Sequence, residues 1–215
     1  MLDTQFLRPL GDVGNPDSWP FPVLIERANG AFAQPVVSGT YAGIESFIEA
    51  GQRLIERGAC AVTTTCGFLV RHQRALETAL AVPVRTSTLL SYRALQHKLD
   101  ESRQVAILTI DKAALDPSVR AAAGIPDDAL IFDLPAESHF RRAILDAASP
   151  LNPQIAEDEW ISLARSVQSA HPDIGQWLFE CANMPPYADA VAEATGLAVY
   201  DALTMGKTLY RSVQP

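Results

Sequence analysis

Residues 60–68 read CAVTTTCGF, and this stretch decides the fold class. Residues 60–64 combine apolar and β-branched side chains, which is typical of a short buried strand. Residues 67–80 follow at once with a helical pattern, so a strand leads directly into a helix. This unit is the building block of α/β proteins, in which helices cover a parallel sheet.

The same alternation of short apolar runs and longer amphipathic segments continues along the chain. Strands are predicted at residues 22–26 (PVLIE), 83–86, 104–109 (QVAILT), 129–134, 174–179 (IGQWLF) and 197–200. Helices are predicted at residues 40–57, in a segment that ends near Leu99, and at residues 157–170, 186–195 and 202–211. The sequence therefore predicts an α/β fold with a mainly parallel sheet and helices on both faces.

Composition and charge restrict the classes of function. The chain has 215 residues, of which 48% are hydrophobic, and a formal net charge of −8. We expect no nucleic-acid partner, because proteins that bind nucleic acid concentrate Lys and Arg on one face. We expect no membrane partner either, because charge, Gly or Pro interrupts every apolar stretch before it could span a bilayer. The 3 cysteines and the absence of a secretory signal pattern predict a cytoplasmic protein.

Two turns resemble each other, because in each a strand ends and a cysteine follows. The first is TTTCG at residues 63–67, and the second is FECANMPP at residues 179–186. Ligands of parallel sheets bind at the carboxyl ends of strands. A cysteine at a helix N-terminus has a lowered thiol pKa, so Cys66 and Cys181 are candidate reactive residues. Cys60, at the start of an apolar run, is predicted to be a small buried core residue.

Other chemistries agree less well with these residues, although either cysteine can equally be structural. Zinc ligands usually lie about two to four residues apart, whereas Cys60, Cys66 and His72 lie six apart. None of the 4 histidines stands in a motif typical of a nucleophile and its base. Neither a P-loop nor a GxGxxG pattern is present. These residues therefore predict no metal site.

The sequence resembles the aspartate/glutamate racemase superfamily in three stretches. These are TTTCGF (63–68), ECANMPPYADAVAEATGLAVYD (180–201) and the opening LDTQFLRPLGDVGNPDSWPFPV (2–23). The resemblance implies two pseudo-symmetric α/β lobes, each a mainly parallel sheet flanked by helices, with the active site in the cleft between them. One lobe would comprise residues 1–99 and 202–215 and carry Cys66, and the other would comprise residues 100–201 and carry Cys181.

The resemblance also assigns roles to individual residues. It implies that Cys66 and Cys181 are an acid–base pair, of which one removes and the other returns a proton at carbon. The substrate-binding positions that it implies are Asp3, Thr4, Thr63, Thr64, Thr65, Gly67, Phe68, Ala182, Asn183 and Met184. Ala182 stands where relatives usually carry Thr, whose hydroxyl helps to hold a substrate carboxylate.

The expected function is that of a cofactor-independent racemase or epimerase that uses two cysteines as acid and base. Its substrate would be an amino acid or a related small carboxylate or hydantoin, and the resemblance allows a homo-oligomer. A decarboxylase or cis-trans isomerase of the same fold is an alternative, because one thiol can attack or protonate such substrates. A binding protein without turnover is a further alternative, which Ala182 favours.

Overall fold

The computed structural model describes residues 1–4, 6–146 and 150–214, and this part of the chain forms two parallel β-sheets. The strands are β1 (Val62–Thr63), β2 (Val84–Arg85), β3 (Gln104–Thr109), β4 (Leu130–Asp133), β5 (Ile174–Phe179) and β6 (Val199–Tyr200). β1 pairs with β2, and the other strands form a sheet in the order β4-β3-β5-β6. The predicted α/β class with parallel strands is confirmed.

Helices flank the sheets and connect their strands. The α-helices are α1 (Ala33–Val37), α2 (Ile44–Glu56), α3 (Gln73–Ala79), α4 (Tyr92–Gln96), α5 (Pro117–Ala123), α6 (His139–Arg141), α7 (Pro153–Ala170), α8 (Ala188–Thr195) and α9 (Ala202–Ser212). Short 3-10 helices cover Pro16–Ser18, Gly67–His72, Thr88–Ser91 and Pro185–Tyr187, and a π-helical turn covers Arg142–Asp146.

The core lies around β3 and β5, the two central strands of the larger sheet. The side chains of residues 105–108 and 177–179 are completely buried. These strands are apolar without alternation because helices cover both faces of a parallel sheet. Leu108 stands opposite Phe179, and just beyond them the Glu180 amide donates to the Leu108 carbonyl. β3 and β5 therefore end together, at one edge of the sheet.

Most predicted elements are present, but several have shifted ends. β3 and β5 have the predicted bounds, whereas residues 60–64 contribute only the two-residue strand β1. Cys60 is exposed in the turn that follows α2, so its predicted place in the core is wrong. The helix predicted from residue 157 begins earlier, at Pro153, because the Asn152 side chain caps its first turn.

The strand predicted at residues 22–26 does not form. Among the described residues, the only backbone hydrogen-bond partner of this segment is the Met1 amino group, which donates to the Glu26 carbonyl. The segment borders a cavity of about 400 Å³, and residues 59–65, which include β1, line the same cavity. The prediction is wrong because an apolar, β-branched run becomes a strand only when a neighbour pairs with its backbone.

The two halves of the chain differ in their sheets. The smaller sheet, β1 and β2, precedes residue 100, and the larger sheet, β3 to β6, follows it. The division into lobes at residues 100 and 201 stays a prediction. In the part of the chain that the structure describes, no helix is both long and apolar enough to cross a bilayer.

Candidate active site

Cys66 and Cys181 follow the carboxyl ends of β1 and β5 and line one small cavity. Each side chain is buried, and only 6% of each residue is exposed. Thr4, Thr65 and Asn183 line the same cavity, whose volume is about 20 Å³. The structure therefore brings the two cysteines to one site, although they come from different sheets. Their catalytic role stays a prediction.

The Cys66 turn comprises residues 64–68 and leads from β1 into a 3-10 helix rather than directly into an α-helix. Cys66 precedes this helix, Gly67–His72, and Gly67 and Phe68 line the cavity. The Thr64 hydroxyl lies 2.7 Å from the Thr86 carbonyl and 3.0 Å from the Cys66 carbonyl. These contacts fix the turn to the end of β2.

The Cys66 thiol is held protonated in this structure. Burial is the main cause that raises the pKa of this thiol to about 12, and the Glu180 carboxylate adds to the effect. The amides of Phe68 and Leu69 act in the opposite direction but are outweighed. The prediction that the helix start lowers the thiol pKa is wrong, because desolvation of a buried thiolate costs more than a short helix end returns.

The Cys181 turn comprises residues 180–184 and is connected to the first loop of the chain. The Cys181 thiol donates to the Asn183 side-chain oxygen at 3.6 Å, and the Asn183 amide donates to the Asp12 carboxylate at 2.7 Å. Asp12 also accepts from Arg8 at 2.9 Å, and Arg8 donates to the Thr4 hydroxyl at 2.8 Å. This chain of contacts places a guanidinium and a hydroxyl beside the cavity.

The Cys181 thiol is also held protonated. Burial raises the pKa of this thiol well above its usual value, and the Glu180 carboxylate is the next largest cause. The predicted helix N-terminus does not follow it directly, because residues 181–184 form turns before the 3-10 helix Pro185–Tyr187. Neither cysteine therefore has the activated environment that the sequence predicted.

Several of the predicted substrate-binding residues do not line the cavity. These are Asp3, Thr63, Thr64, Ala182 and Met184. Asp3 accepts the Gly30 amide at 3.2 Å, and the Thr63 hydroxyl donates to the Arg85 carbonyl at 2.8 Å. Met184 is completely buried in the core. In this structure these side chains hold the surrounding segments in place.

Two residues of the Cys181 turn and its hydrogen-bond network were not found from the sequence, namely Glu180 and Asp12. Asp12 is only 1% exposed and meets Asn183 across nearly the whole length of the chain, which no local pattern signals. Glu180 is also 1% exposed and lines the cavity. Its sequence signal is a carboxylate placed directly between the apolar end of a strand, residues 177–179, and a cysteine.

The side chains that line the site are of kinds that can transfer a proton and bind a carboxylate. The described residues contain no cluster of three or more His, Cys, Asp or Glu side chains arranged to hold a metal ion. Two thiols from opposite turns can act as base and acid on one small carboxylate. Arg8 and the Thr4 hydroxyl supply groups that bind a carboxylate. The cavity thus brings together two thiols, a guanidinium and a hydroxyl.

Comparison with known proteins identifies lyases as sequence relatives. Dimethylsulfoniopropionate lyase of Durusdinium sp. clade D is 30% identical over 209 residues, which are 94% of this chain and 69% of that protein. Dimethylsulfoniopropionate lyase 3 of Emiliania huxleyi (strain CCMP1516) is 30% identical over 226 residues, which are 99% of this chain and 58% of that protein. The chain thus spans little more than half the length of the second relative. No protein-family model matches the chain.

Solved structures of similar fold belong to the predicted superfamily. Arylmalonate decarboxylase superimposes with a TM-score of 0.57 and 15% identity over 97% of this chain and 90% of its own. An aspartate racemase homologue from Pyrococcus horikoshii OT3 gives a TM-score of 0.56 with 13% identity, over 90% of this chain and 85% of its own. At such identities the likeness shows the fold alone, and it confirms the resemblance to the aspartate/glutamate racemase superfamily.

The expected racemase or epimerase function is wrong, because relatives that match over nearly the whole chain are named lyases. The prediction failed because one fold hosts several reactions, so a resemblance that identifies the fold does not decide the reaction. The expectation of an enzyme agrees with these relatives, all of which bear enzyme names. The chain belongs to the family of the dimethylsulfoniopropionate lyases, on the fold of the aspartate/glutamate racemase superfamily.

Proposed function

We propose that the protein is a lyase that breaks the carbon–sulfur bond of a β-sulfonium carboxylate of the dimethylsulfoniopropionate type. The observation that carries the proposal is that Cys66 and Cys181, from two different sheets, line one cavity together with Arg8 and Thr4. The names of the sequence relatives supply the substrate class. The buried thiols supply the base that such an elimination requires.

The proposed reaction is a β-elimination. A cysteine thiolate removes a proton from the carbon next to the carboxylate. The electron pair of that C–H bond forms the new carbon–carbon double bond, while the bond from the β-carbon to the sulfonium sulfur breaks. The products are acrylate and neutral dimethyl sulfide, and the proton remains on the thiol until water removes it. Charge and atoms therefore balance without a cofactor.

Cys66 is the better candidate for the base. The backbone amides of Phe68 and Leu69 lie near its sulfur and act to lower its pKa. Cys181 donates its thiol proton to Asn183, at 3.6 Å, and is therefore the protonated partner in this arrangement. A protonated Cys181 can donate to the substrate carboxylate as negative charge develops on it during proton removal.

The carboxylate of the substrate would bind beside Arg8. The Arg8 side chain is 12% exposed and is oriented by Asp12 and Thr4, so its guanidinium is held at the cavity in one position. A carboxylate there would bring the adjacent carbon between the two turns. Bidentate binding to an arginine fixes both position and orientation, which is what a proton transfer at one specific carbon needs.

The substrate itself would help to generate the thiolate. Both thiols have raised pKa values in this structure because they are buried beside Glu180. A positive charge within about 4–6 Å favours the ionised form of a thiol. A sulfonium group in the cavity provides that charge, so the base forms when the correct substrate is bound.

Substrate entry requires the cavity to open. Its volume of about 20 Å³ is close to that of one water molecule and far below that of ligand pockets, which hold at least about 300 Å³. Phe6 and Leu145 line the cavity and are partly exposed. Rotation of these two side chains toward solvent is the proposed route of entry.

The direct test is the release of dimethyl sulfide from dimethylsulfoniopropionate by the purified protein, measured by headspace gas chromatography. Cys66→Ala and Cys181→Ala should each lower the rate by about 10²–10⁴-fold, the range of a lost acid–base group. Cys60→Ala is the matched control, because Cys60 is exposed and lies outside the cysteine cavity. Its rate should remain within about twofold of the wild type.

The overall reaction and the thiol mechanism can be overturned separately. Absence of dimethyl sulfide and acrylate with folded wild-type protein would overturn the lyase assignment. Wild-type rates in both Cys66→Ala and Cys181→Ala would overturn the thiol mechanism while leaving the overall reaction intact.

A further inference from the structure

Glu180 is a buried carboxylate at the back of the cysteine cavity that the elimination steps above do not use. It follows β5 directly and is 1% exposed. Its Oε2 atom accepts from the Thr109 hydroxyl at 2.9 Å. Its Oε1 atom is buried and has no hydrogen-bond partner among the described residues. A buried, half-satisfied carboxylate is costly, so a group that completes its interactions would bind there favourably.

The carboxylate lies directly against the Cys66 turn. A Cβ atom placed on Gly67 would clash with both Glu180 Oε1 and the Glu180 backbone carbonyl, so glycine allows this close approach. Glu180, Cys66 and Cys181 all line the cavity. The charge of Glu180 also raises the pKa of both thiols. The free oxygen is therefore close to both reacting side chains.

Among the residues that the structure describes, no cationic side chain pairs with Glu180. None of the ion pairs among the described residues includes it. Arg8, which also lines the cavity, is bound to Asp12. Asp111, two residues beyond the end of β3, carries a charge of the same sign as Glu180. Above about pH 7, where Glu180 is ionised, a cationic ligand would supply the positive charge that this carboxylate lacks.

We propose that Glu180 is the specificity-determining counter-charge for the cationic end of the substrate. This inference rests on the proposed function and deepens it, because it names the cation as the recognised part. A sulfonium or quaternary ammonium group has no hydrogen to donate, so it needs charge and apolar contact rather than hydrogen bonds. The Oε1 atom offers the charge, and Phe68 and Ile110, which also line the cavity, offer the apolar contact.

The proposal predicts how cation binding depends on pH. Burial, the largest cause, raises the pKa of Glu180 to about 7, while the Thr109 hydroxyl and the Ile110 amide act against it. The titratable groups around it are Asp111, which raises the pKa further, and the two cysteine thiols, which stay protonated in the free protein. Below about pH 7 a cation has to displace the proton of Glu180, so its affinity falls as the pH falls.

The test compares two stable probes of the same shape that differ only in charge. One is 3-(trimethylammonio)propionate, and the other is 4,4-dimethylpentanoate, in which carbon replaces nitrogen. Both probes carry the same carboxylate, and we call them the cationic and the neutral probe after their other end. Isothermal titration calorimetry at about pH 8 should show that the wild type binds the cationic probe about tenfold or more tightly than the neutral one. Glu180→Gln should abolish this preference and leave the affinity for 4,4-dimethylpentanoate within about twofold.

The wild type provides a second measurement that does not depend on the folding of a variant. Between pH 8 and pH 6 its preference for the cationic probe should fall by about tenfold, because the ionised fraction of Glu180 falls by that factor. Equal binding of the two probes by the wild type, or a preference that survives in Glu180→Gln or is independent of pH, would overturn the inference. Dimethyl sulfide release is measured in parallel. Charge-dependent binding without release would overturn only the proposed function, and release without charge preference would overturn only the role of Glu180.

Discussion

The Cys66 turn and the Cys181 turn present the same side chain to the same cavity, but they are supported in different ways. The Cys66 turn follows the two-stranded sheet, and its Thr64 hydroxyl contacts the nearby carbonyls of Thr86 and Cys66. Its one long-range hydrogen bond among the described side chains is that of the Leu2 amide to the Thr65 hydroxyl. The Cys181 turn follows the central strand β5 of the larger sheet and is held by Asp12, which comes from the first loop.

This difference teaches that equivalent positions on two parallel sheets need not have equivalent chemistry. The local Cys66 turn offers its thiol the amides of Phe68 and Leu69. The Cys181 turn instead offers a hydrogen-bond acceptor, Asn183, whose position depends on Asp12. The two turns therefore surround their thiols with different groups, and Glu180 lines the same cavity.

The largest expected effect concerns the reactivity of the free thiols. Iodoacetamide at about pH 8 should alkylate the exposed Cys60 at the rate of an ordinary exposed thiol. Cys66 should react about 10³-fold more slowly, because each unit by which a pKa is raised lowers the thiolate fraction tenfold. Cys181 should be at least as slow, since its pKa is also strongly raised. Peptide mapping by mass spectrometry gives the three rates.

One outcome of this labelling would contradict the conclusion that the Cys66 thiol is not activated in the free protein. A Cys66 rate within about tenfold of the Cys60 rate would mean that the Cys66 turn activates its thiol without substrate. The rate of Cys66 should rise as the pH is raised, because its thiol pKa of about 12 lies above the whole working range.

The second prediction removes the long-range support of the Cys181 turn. Asp12→Ala should lower the free energy of unfolding by about 3 kcal/mol, because it leaves the guanidinium of Arg8 without its partner in a site where only 12% of that side chain is exposed. The side-chain amide of Asn183 also loses its acceptor, because it donates to the same carboxylate. Urea denaturation followed by circular dichroism measures the change.

The matched control for this variant is Asp17→Ala. Asp17 is exposed and its carboxylate takes part in no ion pair among the described residues, so the change should stay within about 0.5 kcal/mol. A similar small effect for Asp12→Ala would show that the first loop does not support the Cys181 turn.

The larger sheet was predictable from the sequence because its strands are decided locally. β3 and β5 are mainly apolar, and their bounds match the prediction. Residues 22–26 have a similar pattern, yet they form no strand because their backbone has no neighbouring strand among the described residues. Apolar pattern identifies a segment that can pair, and only the tertiary structure decides whether a partner lies beside it.

The same limit applies to the site. The cysteines were found because a strand end followed by Cys is a local signal, and the fold places both at one cavity. The direction of their pKa shifts could not be predicted, because it depends on burial and on Glu180, which is distant from Cys66 in the sequence. Asp12 was missed for the same reason: its partner Asn183 lies in the other half of the chain.

The smallest expected effect tests the local support of the Cys66 turn. Thr64→Val keeps the shape of the side chain but removes the hydroxyl that contacts the carbonyls of Thr86 and Cys66. Loss of one such hydrogen bond at a buried position should lower the free energy of unfolding by about 1 kcal/mol. Thr78→Val, on the exposed face of α3, is the control and should change it by less than about 0.5 kcal/mol. A loss as large as that of Asp12→Ala would mean that the Cys66 turn also depends on a wider network, and the contrast between a local and a long-range turn would then fail.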